Sequence, residues 1–193
     1  VGAVSSYTFS NVASNHTITA NFRYAQGLNY VAGNSTFPGR TSNNACPASI
    51  DNMNYAENNM SVFRTGTTTD YTVSFINCDW SRNTIQIETG YINIPVSGTY
   101  IFTLSGKGRI YVDDNADLFI NGQLVAWDYH KCSIWGWGSV SPDNGSNSIY
   151  LSAGKYSVKI RWYNIGGPAE ININYSVDSS EATAVPVTWF TTD

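Results

Sequence analysis

Charge is what this sequence has least of. Of 193 residues only 10 are Lys or Arg and 14 are Asp or Glu, so charged side chains make up 12% and the formal net charge is -4. The basic residues are scattered singly, with no stripe that could follow a phosphate backbone, which excludes a nucleic-acid reading and gives no electrostatic grip on a membrane. No apolar run approaches the roughly 20 residues a spanning helix needs, so no membrane insertion is expected. Val1 opens no signal-peptide pattern, and the expectation is a mature or excised chain. Cysteine is sparse and odd in number: Cys46, Cys78 and Cys132 lack metal-finger spacing, and one disulfide beside one unpaired thiol is expected, with the pair left open. His130 and Cys132 are too few ligands for a transition-metal site. Glutamate is scarce, and Glu88 and Glu170 both fall in strand-like runs. Glycoside hydrolysis needs two carboxyl groups about 5 to 10 Å apart across a cleft, and neither a nucleophile elbow nor a zincin motif occurs. The chain therefore reads as a non-enzyme.

What fills the space is aromatic and hydroxylated. Aromatics reach 14%, with 13 Tyr and 6 Trp, and Asn, Ser, Thr and Gly occupy most remaining positions. A surface that is polar yet hardly charged suits an extracellular β-protein and suits sugars better than polyanions. The length suits one domain able to bury about 70% of its unfolded surface. Sequons begin at Asn15, Asn34, Asn59, Asn144 and Asn174 and matter only in a source that glycosylates them.

Period-two alternation places the strands. Residues 1–22 read as two short strands, Ser6 to Phe9 and His16 to Phe22. They form either part of the sandwich, the tail of a preceding surface repeat, or an arm adding a strand to a neighbouring subunit. Residues 23–60 are rich in turn formers and read as functional loops or hidden strands. Ser61 to Arg64, Tyr71 to Ile76, Thr84 to Glu88, Gly90 to Ile94 and Thr99 to Leu104 then follow as strands. The last of these has Tyr100, Phe102 and Leu104 on one face. Leu118 and Ile120 lead into Asn121-Gly122, a hairpin signal, and Leu124-Val125 begin the return. Residues 127–148 read as a loop, Ile149 to Leu151, Tyr156 to Tyr163 and Glu170 to Val177 as strands, and Val185 to Phe190 as a last one. No stretch shows capped helical periodicity. The fold expected is an all-β antiparallel sandwich with long loops at one end, divided into an arm (1–22), a sandwich (23–180) and a C-terminal strand or linker (181–193).

Between two of these strands lies Val112-Asp113-Asp114-Asn115-Ala116-Asp117. Adjacent carboxylates repel each other and call for water or a cation, and a hard cation such as calcium, with about six to eight oxygen ligands, uses them best. An EF-hand reading of Asp113, Asn115 and Asp117 fails, because Leu118 stands where the loop glycine belongs and Leu124 where the closing glutamate belongs. The glycines at Asn164-Ile165-Gly166-Gly167-Pro168 let backbone approach a ligand, as an ordinary hairpin loop also would. Trp127 reads as a cap on the open end of the core. For Trp135 and Trp137, flanked by glycines, a core cap and a platform for a pyranose face both stand.

The runs Ile87-Glu88-Thr89-Gly90-Tyr91, Pro95 to Phe102, Val112 to Leu118 with Asn121-Gly122, Ile149 to Tyr156 and Arg161 to Ala169 together resemble the PA-fourteen domain. This is the β-sandwich named after the anthrax protective antigen and found in yeast flocculins, fungal epithelial adhesins, bacterial adhesins and glycosidases. The likeness extends from about Thr84 to Tyr175. It implies calcium at the sandwich tip, held by Asp113 and Asp114 together with Asn164 and the carbonyls of Gly166 and Gly167. Two sugar hydroxyls complete the shell. Ser105 to Tyr111 is longer than the family's spacing, and the second loop lacks the longer asparagine-bearing form of the fungal lectins. The resemblance implies a calcium-dependent carbohydrate-binding module of an extracellular, cell-surface adhesin, with glycans as partners. The alternative is a structural subunit of a surface filament, assembled with other copies through strand addition by the N-terminal arm.

Overall fold

The computed structural model describes residues 25–35, 49–69, 83–106, 112, 114–131, 140–165 and 171–193, and of residues 130, 131 and 140–143 the backbone only. In chain order the elements are β1 (Leu28–Asn34), α1 (Ile50–Asn58), β2 (Ser61–Thr68), β3 (Thr84–Ile94), β4 (Gly98–Ser105), β5 (Asn115–Ile120) and β6 (Gln123–Lys131). They continue with β7 (Val140–Ser146), β8 (Ser148–Leu151), β9 (Gly154–Asn164), β10 (Asn172–Val177), β11 (Thr183–Ala184) and β12 (Phe190–Thr191). The larger sheet runs β2-β1-β3-β9-β5-β6-β7, with β12 also paired to β3, and the smaller runs β11-β10-β4-β8. All pairings among the described residues are antiparallel, and the two sheets form the expected all-β sandwich.

The core follows from the alternation. β4 buries Tyr100, Phe102 and Leu104 and exposes the residues between them, as a strand with one face on a core must. These three pack with Ile171 and Ile173 against Leu118, Ile120, Val158, Ile160 and Trp162 of the larger sheet. Burying each such side chain contributes about 1.5–3 kcal/mol. The β5–β6 hairpin closes through Asn121 (φ 51°) and Gly122 (φ 77°), with Ile120 opposite Gln123. Two positive φ angles match the twist of the flanking strands.

Several sequence expectations are corrected. Of the two readings of residues 23–60 the hidden strand holds for β1, which lies inside the larger sheet between β2 and β3, while the expectation of no capped helix is overturned by α1, capped by Ser49, whose side chain accepts the Asn52 amide. β2 continues past Arg64 to Thr68. The two strands expected at 84–88 and 90–94 are one, because Gly90 is an accommodation and not a break. A Cβ there would lie 2.5 Å from the Thr191 carbonyl oxygen and 2.8 Å from Leu28 Cδ2. Within the expected loop, residues 127–131 and 140–146 pair as β6 and β7, with Trp127 opposite Gly145, whose hydrogen faces the indole ring. The tail is no single strand. Pro186 has no N–H to donate, a 3₁₀ turn spans Val187–Trp189, and Val185 and Phe190 are buried while Trp189 packs on Tyr175 at 4.7 Å. The strands expected at 6–9, 16–22 and 71–76 lie outside the described residues.

Register sets where the long connections lie. Asn34 at the end of β1 pairs Thr84 at the start of β3, and Thr84 pairs Asn164 at the end of β9. Asn115 at the start of β5 pairs Tyr163. The connections from β1 to α1, β4 to β5, β6 to β7 and β9 to β10 therefore all leave one end of the sandwich. The opposite end carries tight turns such as 95–97, 121–122 and 152–153.

Candidate functional site

At the long-loop end the β5–β9 ladder runs out, and this brings two of the expected residues together. Asp114 precedes β5 and Asn164 ends β9, one step beyond the Asn115–Tyr163 pair. The Asp114 amide donates to the Tyr163 carbonyl at 3.3 Å, and the Asp114 carboxylate accepts the Ile165 amide at 2.7 Å. A carboxylate taking a backbone N–H fixes the chain where it leaves β9 for the glycine-rich loop. Asn164 is buried and Asp114 half-buried. Asp113, Gly166, Gly167, Trp135 and Trp137 lie outside the described residues, as do Cys46, Cys78 and Cys132.

The next support was not legible beforehand. The Val112 amide donates to the Asp128 carboxylate, and both residues are fully buried. Asp128 stands opposite Ala116 on β6, and Ala126, two residues earlier on the same face, stands opposite Leu118. That placement follows from the β5–β6 register, which shifts between Leu118 and Phe119. The segment entering the paired aspartates is thus tied down ahead of them by Asp128 and behind them by Tyr163 and Ile165.

A second acidic cluster sits on the same strands but on the face covered by α1. Arg161 Nε and Nη2 donate to the two oxygens of Asp117 at 2.8 and 2.6 Å, and Tyr129 donates to Asp117 at 2.7 Å. Arg161 Nη1 reaches Asn54 at 2.6 Å and Glu57 at 2.9 Å on α1, and Lys159 also meets Glu57. Burial, the largest influence, lifts the Asp117 carboxyl, with the bonds from Arg161 and Tyr129 acting in the opposite sense. Burial works against the Arg161 charge, but the Asp117 and Glu57 carboxylates outweigh it and raise its pKa. Burial and then the charge of Asp117 raise the Tyr129 hydroxyl, which stays a donor. Met53, Ala56, Ile85, Ile87, Tyr129 and Tyr163 pack around this network, with Trp127 and Ile165 at its margin. The cluster is internally answered and fastens α1 to the sheet.

Donor chemistry at the tip can be set against calcium. Asp114 and Asn164 offer a carboxylate and an amide, the oxygen donors a hard cation uses, with no imidazole or thiolate between them. Among the described residues no group of three or more His, Cys, Asp or Glu could hold a metal by itself. A shell drawn on this tip would need carbonyls as well as carboxylates, which is the donor mixture calcium accepts.

The model of the PA14 domain matches residues 26–188. No curated protein matches the sequence. Among solved structures, an anti-sigma factor domain-containing protein from Clostridium clariflavum is similar at TM-score 0.52 and 19% identity over 86% of this chain and 46% of that one. The chain spans about half the length of that protein. The PA14 sugar-binding domain of an RTX adhesin is similar at TM-score 0.58 and 18% identity, over 88% of this chain and 99% of that one. The A domain of epithelial adhesin 6 from Candida glabrata, in complex with Galb1-3GlcNAc, is similar at 0.59 and 14% identity, over 90% and 89%. At these identities the structural likeness speaks for the fold.

Proposed function

This chain belongs to the PA14 domain family, and we propose that it is a carbohydrate-binding module of an adhesin, extracellular and at the cell surface, that holds vicinal sugar hydroxyls through calcium at the sandwich tip. The observation that carries this reading is the junction at which Asp114, beside Asn164, accepts the Ile165 amide and so joins the aspartate segment to the second loop. The RTX adhesin domain and the Candida adhesin support it by what their descriptions name, a sugar-binding domain and a bound disaccharide.

In this proposal Asp113, Asp114 and Asn164 supply side-chain oxygens and Gly166 and Gly167 supply carbonyls. Trp135 and Trp137 offer ring faces to the sugar. Calcium supplies coordination sites that two adjacent hydroxyls can fill, and fixed geometry there distinguishes diols by stereochemistry. The protein's own part is to keep its donors converged without the ligand, which the Asp114–Ile165 bond serves. Calcium titration by calorimetry and a glycan array with and without chelator test the reading. Calcium-dependent glycan binding that disappears in Asp113→Ala/Asp114→Ala supports it; glycan binding indifferent to chelator contradicts it.

A second reading, assembly by strand addition, is favoured by β2. Seven of its eight residues are exposed, and it stands last in the larger sheet's strand order, paired with β1 among the described residues, which is where strand addition would occur. An arm of a second copy formed by residues 1–22 would fit such an edge. A chain lacking residues 1–22 should then fold yet lose self-association in sedimentation; unchanged association removes this reading.

A further inference from the structure

The chain carries a buried carboxylate that neither the family resemblance nor the candidate ligand set includes. Asp128 is fully buried on β6, and its carboxylate accepts the amide of Val112, the residue immediately ahead of the paired aspartates. Val112 is itself anchored in the main core. On the far side Asp114 is held by the Tyr163 carbonyl and the Ile165 amide. The entering segment is therefore fixed at both ends by strands β6 and β9, which belong to the same sheet and are joined through β5.

We propose that Asp128 is a positioning residue for the tip site: by accepting the Val112 amide it holds the chain two residues ahead of Asp114 in place before any ion or sugar arrives. This rests on the calcium-lectin reading above and adds a residue to it. Fixed donors do not need to be ordered when the ligand binds, so the ordering cost is met in folding and not in binding. Groups that orient metal ligands without touching the metal typically change affinity about 10- to 100-fold when removed. The Asp128 side chain offers the Val112 amide its acceptor from inside the fold, where water does not compete for the bond.

The test uses the intact chain with calcium alone as probe, together with amide hydrogen exchange at Val112 in chelator. The proposal expects slow Val112 exchange in the metal-free wild type and faster exchange in Asp128→Ala. It also expects calcium affinity to fall about 10- to 100-fold in Asp128→Ala. Asp128→Asn keeps an acceptor oxygen and loses the charge. It should fold and retain calcium affinity within about threefold, because the amide bond survives at lower strength. Should Asp128→Ala not fold, the exchange rates and the Asp128→Asn titration still decide. An Asp128→Asn loss of affinity as large as that of Asp113→Ala/Asp114→Ala would make Asp128 a ligand, not a positioning residue, and overturn the proposal. So would unprotected Val112 exchange in the metal-free wild type, or unchanged affinity in Asp128→Ala. If the wild type shows a protected Val112 but no calcium binding, the lectin reading fails and the positioning role falls with it. The clamp itself would remain as a structural fact.

Discussion

Two acidic sites lie a few residues apart, Asp117 on β5 and Asp114 just ahead of it, and they are treated in opposite ways. Asp117 faces α1 and is met by the guanidinium of Arg161 through two bonds and by the Tyr129 hydroxyl. Asp114, at the strand's end, is taken up by a backbone amide of the loop that follows β9. The first carboxylate is neutralised by a partner of opposite charge inside the fold. The second is held by a neutral donor at the end from which the long loops leave. The bonds to Arg161 help fasten α1 to the sheet, while the bond to the Ile165 amide fixes Asp114 where β9 gives way to the second loop.

The strongest way to break this contrast is Asp117→Ala. It strands Arg161 in the interior with fewer acceptors and should cost about 3–5 kcal/mol in urea unfolding. A cost below about 1 kcal/mol would mean the network is not what fastens α1 to the sheet. A smaller effect is expected from Ser49→Ala, which removes the acceptor for the Asn52 amide at the start of α1. A loss of about 1 kcal/mol should appear there, with weakened protection of the α1 amides. The smallest effect on stability belongs to Asp114→Ala in chelator, about 1 kcal/mol or less, because the bond to the Ile165 amide lies at the half-exposed tip, where water can replace it. If Asp114→Ala destabilised the metal-free chain as much as Asp117→Ala, the tip would be a structural element like the network beneath α1.

What the sequence disclosed and what it hid follow from the same physics. The sandwich was legible where one face of a strand is buried, as in β4, and where a turn demands special backbone angles, as at Asn121-Gly122. β1 was hidden because it lies within the sheet with a mixed burial pattern and ends in Gly33-Asn34, which reads as a turn. α1 was hidden because it is a nine-residue helix with only Met53 and Ala56 fully buried, and its polar residues Asn54 and Glu57 find their role only on meeting Arg161. A helix this short is made by tertiary contacts, not by its own propensity. Residues 140–146 carry Pro142, Asp143, Asn144 and Gly145, all turn formers, yet run as β7. Gly145 is needed there because a Cβ would lie 2.3 Å from the Trp127 ring. At the tip, Asp114 and Asn164, named through the family resemblance, stand one step beyond the Asn115–Tyr163 pair, whereas Asp128 was missed because its meaning depends on strand register.

Calorimetric titration of calcium into the intact chain and into Asp113→Ala/Asp114→Ala, each repeated with a glycan already bound to the array-selected limit, tests the central claim most directly. The account predicts a single-site calcium signal in the intact chain, strengthened by glycan and absent in the variant, with both proteins equally folded in chelator. An intact chain that binds glycan with no calcium signal, or a variant that binds calcium and glycan as the intact chain does, would contradict it.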